Sequence, residues 1–358
     1  MIQSLRLQNY RSYKDDSFEF EAGVNIVVGP NASGKTNLLE AVLVLSRGSS
    51  FRARDTDLIK FKKPWARLEG FFGAHPRVAK LERIGESEQI AKSFTLDGKE
   101  YKRMLFDRTI PVVFFEPSHL QMLTRGPDQR REYFDDLLER TELGYKQNLA
   151  GYRRTLAQRN ALLKQSRAHA SQQLFAWDIR LSELAEKIAK SRAHLVGEIN
   201  EDISKNYSRI AGRKSVVSAK YEHHFKPEAY SSQMLAKLET THQTDFERGF
   251  TTYGPHREDI AFELNSQPIV ITASRGEVRS ILLALKIFEL GLVEKVRRQK
   301  PIFLLDDVFS ELDGARRRAL VKYLKKYQAI ITTTDADAVL EYFSGNANLI
   351  PLDSKQSA

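Results

Sequence analysis

One eight-residue stretch constrains this chain more than any other, Gly29-Pro30-Asn31-Ala32-Ser33-Gly34-Lys35-Thr36. It matches GxxxxGK[ST] in full and lies between a β-branched apolar run at 24–28 and a segment of helical character at 37–42. Glycines let successive backbone N–H groups point at phosphate oxygens, with the positive end of a helix dipole behind them. The pattern therefore predicts a strand, a phosphate-binding loop and a helix that together bind the phosphates of a nucleotide.

A second stretch supplies the acids that such a loop needs. Residues 302–307, IFLLDD, are an apolar strand that ends in two carboxylates. In P-loop proteins this strand lies beside the loop strand, and its first carboxylate and the loop threonine hold Mg²⁺. We therefore predict Thr36 and Asp306 as Mg²⁺ ligands, with Lys35 at the β and γ phosphates. Asp307 is placed to orient or deprotonate the attacking water, although an acidic pair alone could equally cap the next element.

Composition indicates an acidic partner. The 358 residues carry a formal charge of +10 and 41% hydrophobic residues, which is enough for a substantial core. Nucleic acid is the usual partner at this charge balance, and a membrane surface is the weaker alternative. Neither a bilayer-length apolar stretch nor a signal-like N-terminus occurs, and with no cysteine the chain has no disulfide, thiolate zinc site or cysteine nucleophile. We expect a cytoplasmic protein without membrane contact.

The order of the patterns predicts an α/β protein: a P-loop ATPase lobe with mixed β-sheets, into which a helical lobe is inserted. We expect Phe18 and Phe20 to begin a strand that leads into the loop strand, and residues 260–264 and 269–272 to form a hairpin. The other predicted strands are 3–9, 66–73, 77–85, 92–101, 111–115, 216–221, 301–306 and 329–333, and the helices after the hairpin are 276–294 and 314–326. The predicted domains are 1–120 and 211–358 for the two parts of the ATPase lobe, and 121–210 for the helical lobe.

From residue 128 to residue 203 the apolar residues recur at spacings of three, four and seven. This period predicts two long helices, each about 50 Å at 1.5 Å per residue, joined by a turn at 166–171. The helical lobe is therefore expected to contain a short antiparallel hairpin.

Positive charge concentrates in this lobe. Residues 121–220 contain 19 Lys and Arg against 12 Asp and Glu, a net +7 of the chain's +10. A solvated helix face explains part of this excess, but the lack of any acid between Glu142 and Asp178 favours a surface for DNA phosphates. The six basic residues in that interval are Lys146, Arg153, Arg154, Arg159, Lys164 and Arg167.

Two later motifs identify a subclass of P-loop protein. Residues 274–277, Ser-Arg-Gly-Glu, open a helix and resemble the signature motif of ATP-binding cassette ATPases, commonly SGGQ. Residues 310–313, SELD, resemble the D-loop of the same class. The resemblance implies that Ser274, Gly276 and Glu277 of one subunit bind the γ-phosphate held by a second copy, so that ATP drives formation of a homodimer. The residue that senses the γ-phosphate stays open, because 332–335 (TTTD) lacks the usual histidine. The Q-loop is also unassigned around 116–121.

Taken together, the motifs resemble the RecF family of bacterial DNA replication and repair proteins, which are related to SMC ATPase heads. RGPDQRR and GPHRED discriminate best, because generic cassette ATPases lack both. Two residues depart from the family pattern: Glu277 stands where glutamine is usual, and Glu258 stands where aspartate is common. The stretches that carry the resemblance are LRLQNYRSY (5–13), GPNASGKTN (29–37), FEPSHL (115–120), RGPDQRREYFDD (125–136), GPHRED (254–259), SRGE (274–277) and LLDDVFSELD (304–313).

This resemblance implies a weak, DNA-stimulated ATPase that dimerises on ATP and binds single- and double-stranded DNA at gaps. It further implies partnership with RecR and RecO in loading RecA, and a role in the SOS response. The main alternative is an SMC-type structural ATPase head, against which the short hairpin argues. A P-loop nuclease and a small-molecule kinase are weaker alternatives, because no second acidic cluster stands out and the signature and D-loop motifs are present. Arg11, just after the first strand, could contact the nucleotide or could be an ordinary surface arginine.

Overall fold

The structure is a computed structural model that describes residues 1–85, 89–165, 167–343 and 347–353, with the side chains of 167–172 left aside. By contacts between Cα atoms the chain divides into two compact units. Unit 1 contains residues 1–119, 209–211 and 289 onward, and unit 2 contains 120–208 and 212–288. Residues 212–288, which the sequence analysis assigned to the ATPase lobe, therefore group with the helical residues.

The strands are β1 Ser4–Tyr10, β2 Tyr13–Glu19, β3 Val24–Val28, β4 Trp65–Phe72, β5 His75–Arg83, β6 Ile90–Leu96, β7 Lys99–Tyr101, β8 Val112–Phe115, β9 Val217–Glu222, β10 Asp259–Leu264, β11 Gln267–Pro268, β12 Ile302–Asp306, β13 Ala329–Thr333 and β14 Ala347–Pro351. The helices are α1 Lys35–Arg47, α2 Asp55–Leu58, α3 His119–Met122, α4 Pro127–Thr141, α5 Tyr145–Leu162, α6 Arg167–Ala211, α7 Tyr230–Arg248, α8 Ile269–Thr272, α9 Arg275–Arg297, α10 Gly314–Leu324 and α11 Asp337–Leu340. Short 3₁₀ turns lie at Phe106–Arg108 and Pro227–Ala229.

Unit 1 contains a parallel sheet with the strand order β14-β3-β13-β12-β8. Its inner strands are buried along their length, as continuous apolar runs such as VNIVV and IFLLD predict for a parallel sheet. The strand that precedes the phosphate loop, β3, pairs with β13 on one side and β14 on the other. Because β12 pairs with β13, the carboxyl ends of the loop strand and the acidic strand meet at one edge of the sheet.

A second sheet of unit 1 is antiparallel, with the order β2-β1-β4-β5-β6-β7. Helix α1 contacts strands of both sheets, and its residues from Leu38 to Leu45 are nearly inaccessible to solvent. One apolar cluster joins α1 to both sheets, so burial of this helix stabilises the loop that precedes it. The mixed α/β lobe predicted from sequence is confirmed.

Unit 2 contains the helical hairpin and a small antiparallel sheet with the order β11-β10-β9. Helices α4 and α5 run antiparallel to α6, since Arg159 pairs with Asp178 near one end and Asp135 pairs with Arg192 further along. Within the residues that the structure describes, no helix combines the length and apolar composition needed to cross a membrane.

The first arm of the predicted hairpin is two helices. The chain breaks between α4 and α5 at Gly144, whose φ of +91° favours glycine and interrupts the helix. The turn predicted at 166–171 was also wrong, because the turn residues are 163–165 and residues 167–171 are already helical. Ser166 itself lies outside the described residues. The sequence also predicts a disordered tail at 353–358, of which residues 354–358 lie outside the described residues.

Two smaller predictions were wrong for physical reasons. Strand β2 ends at Glu19 and pairs with β1 in the antiparallel sheet, so it does not lead into β3 in one sheet. The β-branched run Ile269–Thr272 is a short helix, and the partner of β10 in that hairpin is β11. Residues 230–248, to which the sequence patterns assign neither a helix nor a strand, form α7, with only Tyr230, Met234, Leu238 and Asp245 buried.

Candidate nucleotide-binding site

The predicted phosphate loop connects β3 to α1, and two of its glycines have no room for a side chain. Gly34 has φ +102°, and a Cβ there would lie 2.9 Å from the Tyr13 hydroxyl. A Cβ on Gly29 would lie 2.6 Å from the backbone oxygen of Leu352 and 2.7 Å from Ser33 Oγ. Packing therefore requires glycine at both positions, and at Gly34 the backbone conformation requires it too.

Lys35 is the first residue of α1, and its side chain lies over the loop. Its Nζ donates hydrogen bonds to the backbone oxygens of Gly29 (2.8 Å) and Pro30 (2.9 Å). Burial lowers the pKa of the Lys35 ammonium, whereas the nearby charges of Asp307 and Asp306 oppose this effect. The lysine thus brings a positive charge to the same loop whose backbone curls at Gly29 and Gly34.

Asp306 ends β12 and meets the residue that follows Lys35. The Thr36 hydroxyl donates to Asp306 Oδ2 at 2.8 Å and lies 3.1 Å from Oδ1. Thr332 on β13 donates its own hydroxyl to Asp306 Oδ1 at 2.7 Å and so fixes the carboxylate from the other side. Hydroxyl and carboxylate oxygens are ligands that Mg²⁺ prefers. Thr36 and Asp306 could therefore hold the cation together, and the positioning role of Thr332 was not foreseen.

Asp307 is held in an unusual backbone conformation next to this pair. Its φ is +50°, and its backbone N–H donates to Thr332 Oγ1 at 3.0 Å. Burial raises the pKa of the Asp307 carboxyl. Among the described residues, its Oδ1 and the buried Ser33 Oγ have no hydrogen-bond partner. Buried oxygens without partners are typical of a site that binds a polar ligand, and the loop beside them has room only for glycine at positions 29 and 34. The residues present therefore fit a nucleotide with Mg²⁺.

The role of Arg11 could not be assigned from the sequence. In the structure its side chain contacts helix α1, and it does not contact Lys35 or Asp306. Its guanidinium forms a bidentate ion pair with Glu40, at 2.7 and 2.8 Å. Burial disfavours the charge of Glu40, but hydrogen bonds from Arg11, Ser50 and Arg52 outweigh burial and hold its pKa below the ordinary value. The turn between β1 and β2 therefore braces the loop helix. Nothing in the sequence indicated that Glu40 is a buried anchor.

The signature-like stretch opens α9 with reciprocal hydrogen bonds. Glu277 Oε2 accepts from both the backbone N–H and the hydroxyl of Ser274, each at 2.8 Å, and the Glu277 N–H donates to Ser274 Oγ at 3.3 Å. This arrangement is a capping box. Those hydrogen bonds, together with Arg213, hold the pKa of Glu277 below its usual range. The glutamate that replaces the usual glutamine is therefore a helix cap whose charge is compensated by Arg213.

The D-loop-like stretch has a structural role in the fold. Asp313 caps α10 by accepting the backbone N–H of Arg316 at 2.9 Å. Ser310 Oγ donates to the backbone oxygen of Asp307 at 2.7 Å and so supports the strained residue.

The residues at the expected switch position also cap a helix. Asp335 accepts the backbone N–H of Ala338 at 3.2 Å, and its own N–H donates to Thr333 Oγ1 at 3.1 Å. The identity of the γ-phosphate sensor and of the Q-loop residue stays open.

The two family-discriminating stretches meet inside unit 2. Arg130 forms a bidentate ion pair with Asp259 at 2.8 and 2.6 Å, and Arg131 donates to the backbone oxygen of Glu258 at 2.6 Å. Arg192 pairs with Asp135 and donates to the backbone oxygen of Pro255 at 2.7 Å. RGPDQRR and GPHRED therefore hold the hairpin on the small sheet, which the sequence alone did not reveal.

Glu258, the second departure from the family pattern, is buried in this network. It accepts hydrogen bonds from the hydroxyls of Tyr221 and Tyr230 and from the backbone N–H of His224. Burial opposes its ionisation, but these hydrogen bonds outweigh burial and hold its pKa below the ordinary value. A cavity of about 280 Å³ lies nearby, lined by Arg131, Arg153, Arg192, Tyr152 and His256 among others.

One of the six basic residues predicted to face DNA is buried. Arg159 has no accessible surface and pairs with Asp178 at 2.5 Å and Asp245 at 2.8 Å. Its inclusion in a phosphate-contact surface was wrong, because acids from α6 and α7 compensate it. Lys146, Arg153, Arg154 and Lys164 are exposed. The side chain of Arg167 lies outside the described part.

The chain matches the family described as RecF/RecN/SMC N terminal domain over residues 1–350. It is 34% identical over 339 residues to the DNA replication and repair protein RecF of Moorella thermoacetica, covering 93% of this chain and 90% of that protein. The RecF of Heliobacterium modesticaldum is 33% identical over 367 residues, with 99% and 98% covered.

Solved structures agree with these relatives. A structure of the recombination mediator protein RecF-ATP in the RecFOR pathway has a TM-score of 0.81 at 28% identity, covering 93% of this chain and 92% of that chain. An Smc head bound to the C-winged helix domain of ScpA has a TM-score of 0.52 at 17% identity over 95% of this chain and 91% of that one, a likeness of fold alone. The chain therefore belongs to the RecF/RecN/SMC family and, within it, to the RecF group of DNA replication and repair proteins.

Proposed function

We propose that this chain is an ATP-dependent DNA clamp of recombinational repair with a weak, DNA-stimulated ATPase activity. The observation that carries this proposal is the contact between Thr36, which completes the phosphate loop at the start of α1, and Asp306, which ends β12. The RecF-ATP relative supports ATP as the nucleotide.

The residues of the loop would bind the triphosphate. Backbone N–H groups of the loop would bind its phosphates, and Lys35 would exchange its contacts with the carbonyl oxygens of Gly29 and Pro30 for the β and γ phosphates. Thr36 and Asp306 hold Mg²⁺, which supplies charge neutralisation at the phosphates. Thr332 keeps the Asp306 carboxylate in the orientation that this binding needs.

Asp307 would act as the base. A carboxyl whose pKa is raised by burial takes up a proton more readily than an exposed one, and among the described residues the buried Oδ1 of Asp307 has no hydrogen-bond partner. The positive φ of Asp307 is a strained backbone conformation of the kind that clusters at active sites.

The second half of the site would come from a second copy. Ser274 and Gly276 at the start of α9, with Glu277 as cap, bind the γ-phosphate held by the partner subunit. Neither half alone encloses the triphosphate, so ATP links the two copies and dimerisation depends on it. The closed pair then grips DNA at single-strand gaps in the cytoplasm and, with RecR and RecO, helps to load RecA and supports the SOS response.

Light scattering of the purified full chain tests this function directly. With ATP, Mg²⁺ and gapped DNA we expect a dimer that binds DNA, and with no nucleotide a monomer. A chain that stays monomeric under every nucleotide and Mg²⁺ condition contradicts the clamp. A dimer that forms with ATP but does not bind DNA would support ATP-dependent dimerisation and contradict the proposed DNA clamp.

A further inference from the structure

A tight turn at residues 60–63 presents an aromatic ring to solvent. The backbone N–H of Lys63 donates to the oxygen of Lys60 at 3.0 Å, which closes the turn around Phe61 and Lys62. The Phe61 side chain is 82% exposed, although exposing an aromatic ring of this size to water is unfavourable. The Lys62 ammonium lies 5.4 Å from the centre of the ring.

The turn is rigidly attached to the core of unit 1. Ile59 pairs with the buried Tyr10, and Lys60 donates its backbone N–H to Asn9 (2.8 Å) and its Nζ to the oxygen of Ser12 (2.7 Å). From the other side Arg83 donates to the backbone oxygen of Lys63 at 3.3 Å. The backbone of the turn is therefore anchored on both sides of Phe61, which keeps this residue at the surface of unit 1.

Lys62 adopts a conformation that glycine would adopt more easily. Its φ is +60°, at the third position of a turn where a positive φ favours glycine or asparagine. A lysine at this position keeps a positive charge beside the exposed ring in spite of the backbone strain. Lys63 is exposed as well, and the part of the chain that the structure describes offers neither lysine an acidic partner.

We infer that this turn binds single-stranded DNA, with the Phe61 ring stacked on an unpaired base and Lys62 and Lys63 at the adjacent phosphates. The inference rests on the DNA binding proposed above and adds to it the part of the DNA that is recognised. An aromatic ring between cations matches the chemistry of a nucleic acid strand, which offers flat bases and regularly spaced phosphates. Bases in an intact duplex are already stacked on one another, so the ring selects the unpaired stretch of a gap.

The test measures the affinity of the full chain for a labelled gapped duplex and for an intact duplex of equal length, over a range of salt concentrations. Phe61→Ala is expected to weaken binding to the gapped duplex by roughly 5- to 100-fold, the usual loss for one stacked base. Its salt slope should not change, because no charge is removed, and binding to the intact duplex should change little. Lys62→Gln should instead reduce the slope by about 0.7, the value for one phosphate of a single strand.

Phe71→Ala is the matched control, since Phe71 is also an exposed phenylalanine of unit 1, 43% accessible, and lies outside the turn. Thermal unfolding of each variant verifies that the fold is intact. A fluorescent 2-aminopurine placed in the gap should be quenched by the wild-type chain and not by Phe61→Ala.

Unchanged affinity of Phe61→Ala for the gapped duplex overturns the inference and leaves the proposed clamp standing, provided that the wild-type chain binds. Equal losses on gapped and intact DNA also overturn it. If the variant loses the ATP-dependent dimer instead, the ring is a protein contact and not a base contact. If the wild-type chain binds neither DNA, the proposed function fails first.

Discussion

Thr36 and Asp306 are 270 residues apart in the chain, and their side chains lie 2.8 Å apart in the fold. Thr36 completes the phosphate loop that follows β3, and Asp306 ends β12, which lies two positions from β3 in the same sheet. The contact is possible because β13 lies between the two strands and contributes Thr332, which holds the same carboxylate. Three separate segments of the chain therefore build the candidate Mg²⁺ site.

Lys35→Ala should abolish nucleotide binding. The ammonium is the only side-chain charge that the loop brings to the phosphates, and removing one partner of a buried charge contact costs about 2–5 kcal/mol, or roughly 30- to 5000-fold in affinity. Isothermal titration with ATP and Mg²⁺ measures the loss. Lys99→Ala, which removes an exposed lysine of β7, should bind ATP like the wild-type chain. Retained affinity in Lys35→Ala would exclude the loop as the triphosphate site.

Asp307→Asn should trap a closed dimer on DNA. An amide cannot accept the proton of the attacking water, so turnover should fall by about 10²- to 10⁴-fold while ATP binding persists. Light scattering with ATP, Mg²⁺ and DNA measures the dimer, and phosphate release measures turnover. The same substitution at the exposed Asp107 should change neither quantity. A variant that remains monomeric with ATP would contradict the clamp.

Arg159→Ala should destabilise unit 2. Asp178 and Asp245 would be left buried without their cation, and breaking a buried pair in this way costs about 3–5 kcal/mol. Arg154→Ala, five residues earlier and exposed, should change the free energy of unfolding by no more than about 0.5 kcal/mol. Urea unfolding followed by circular dichroism compares the two. Equal stabilities would mean that the ion pairs contribute nothing.

Reversal of Arg153 and Arg154 to glutamate should weaken DNA binding and flatten its dependence on salt. For each duplex phosphate that the protein no longer neutralises, the slope of log K against log salt falls by about 0.9. Fluorescence anisotropy at several salt concentrations measures the slope. Reversal of Lys102 and Arg103, an exposed neighbouring pair in unit 1, makes the same change in net charge. A slope that the first reversal leaves intact would place the DNA surface elsewhere, for example at Arg316 to Arg318.

Stability should fall as pH falls because His256 is buried in its neutral form. Its Nδ1 lies 2.6 Å from the Tyr152 hydroxyl and its Nε2 lies 3.1 Å from the backbone oxygen of Thr251, so one nitrogen accepts and the other donates. Burial lowers the pKa of His256 to about 4 from the ordinary value of 6.5. The folded state therefore loses stability as pH falls from 6.5 toward 4, by about 2–3 kcal/mol at 1.4 kcal/mol per unit.

His256→Gln is the matched variant, since its amide can also donate and accept but does not titrate. The difference in unfolding free energy between wild type and variant should shrink between pH 6.5 and pH 4.5 and be constant above pH 7.5. A difference that does not vary with pH would show that His256 titrates normally in the folded chain.

The loop, its helix and the acidic strand could be predicted because their signals are local. The phosphate loop is contiguous, and the strand that ends in Asp306 is indicated by four apolar residues followed by two acids. Arg159 shows the opposite case, because its partners Asp178 and Asp245 are 19 and 86 residues away. A run of basic residues without acids therefore looked like a surface, although the compensating acids come from other helices. Glu40 was missed for the same reason, since Arg11 lies 29 residues before it.

The prediction of secondary structure failed where tertiary context overrides the local preference of the residues. The β-branched residues of Ile269–Thr272 favour a strand, but the chain turns into a helix directly after the two-residue strand β11. Helix α7 has an apolar face of only three residues, Tyr230, Met234 and Leu238, so the polar residues between them hid its period.

The strand that carries the phosphate loop has both of its neighbours near the far end of the chain, at Ala329–Thr333 and Ala347–Pro351. During synthesis on the ribosome, β3 leaves the exit tunnel long before either partner exists, a delay of roughly 15–60 s at the usual pace of translation. An incomplete nascent chain thus lacks the two strands that hold the loop in place. On the function proposed above, we therefore expect that unfinished copies do not bind ATP and that only the fully translated chain can form the dimer.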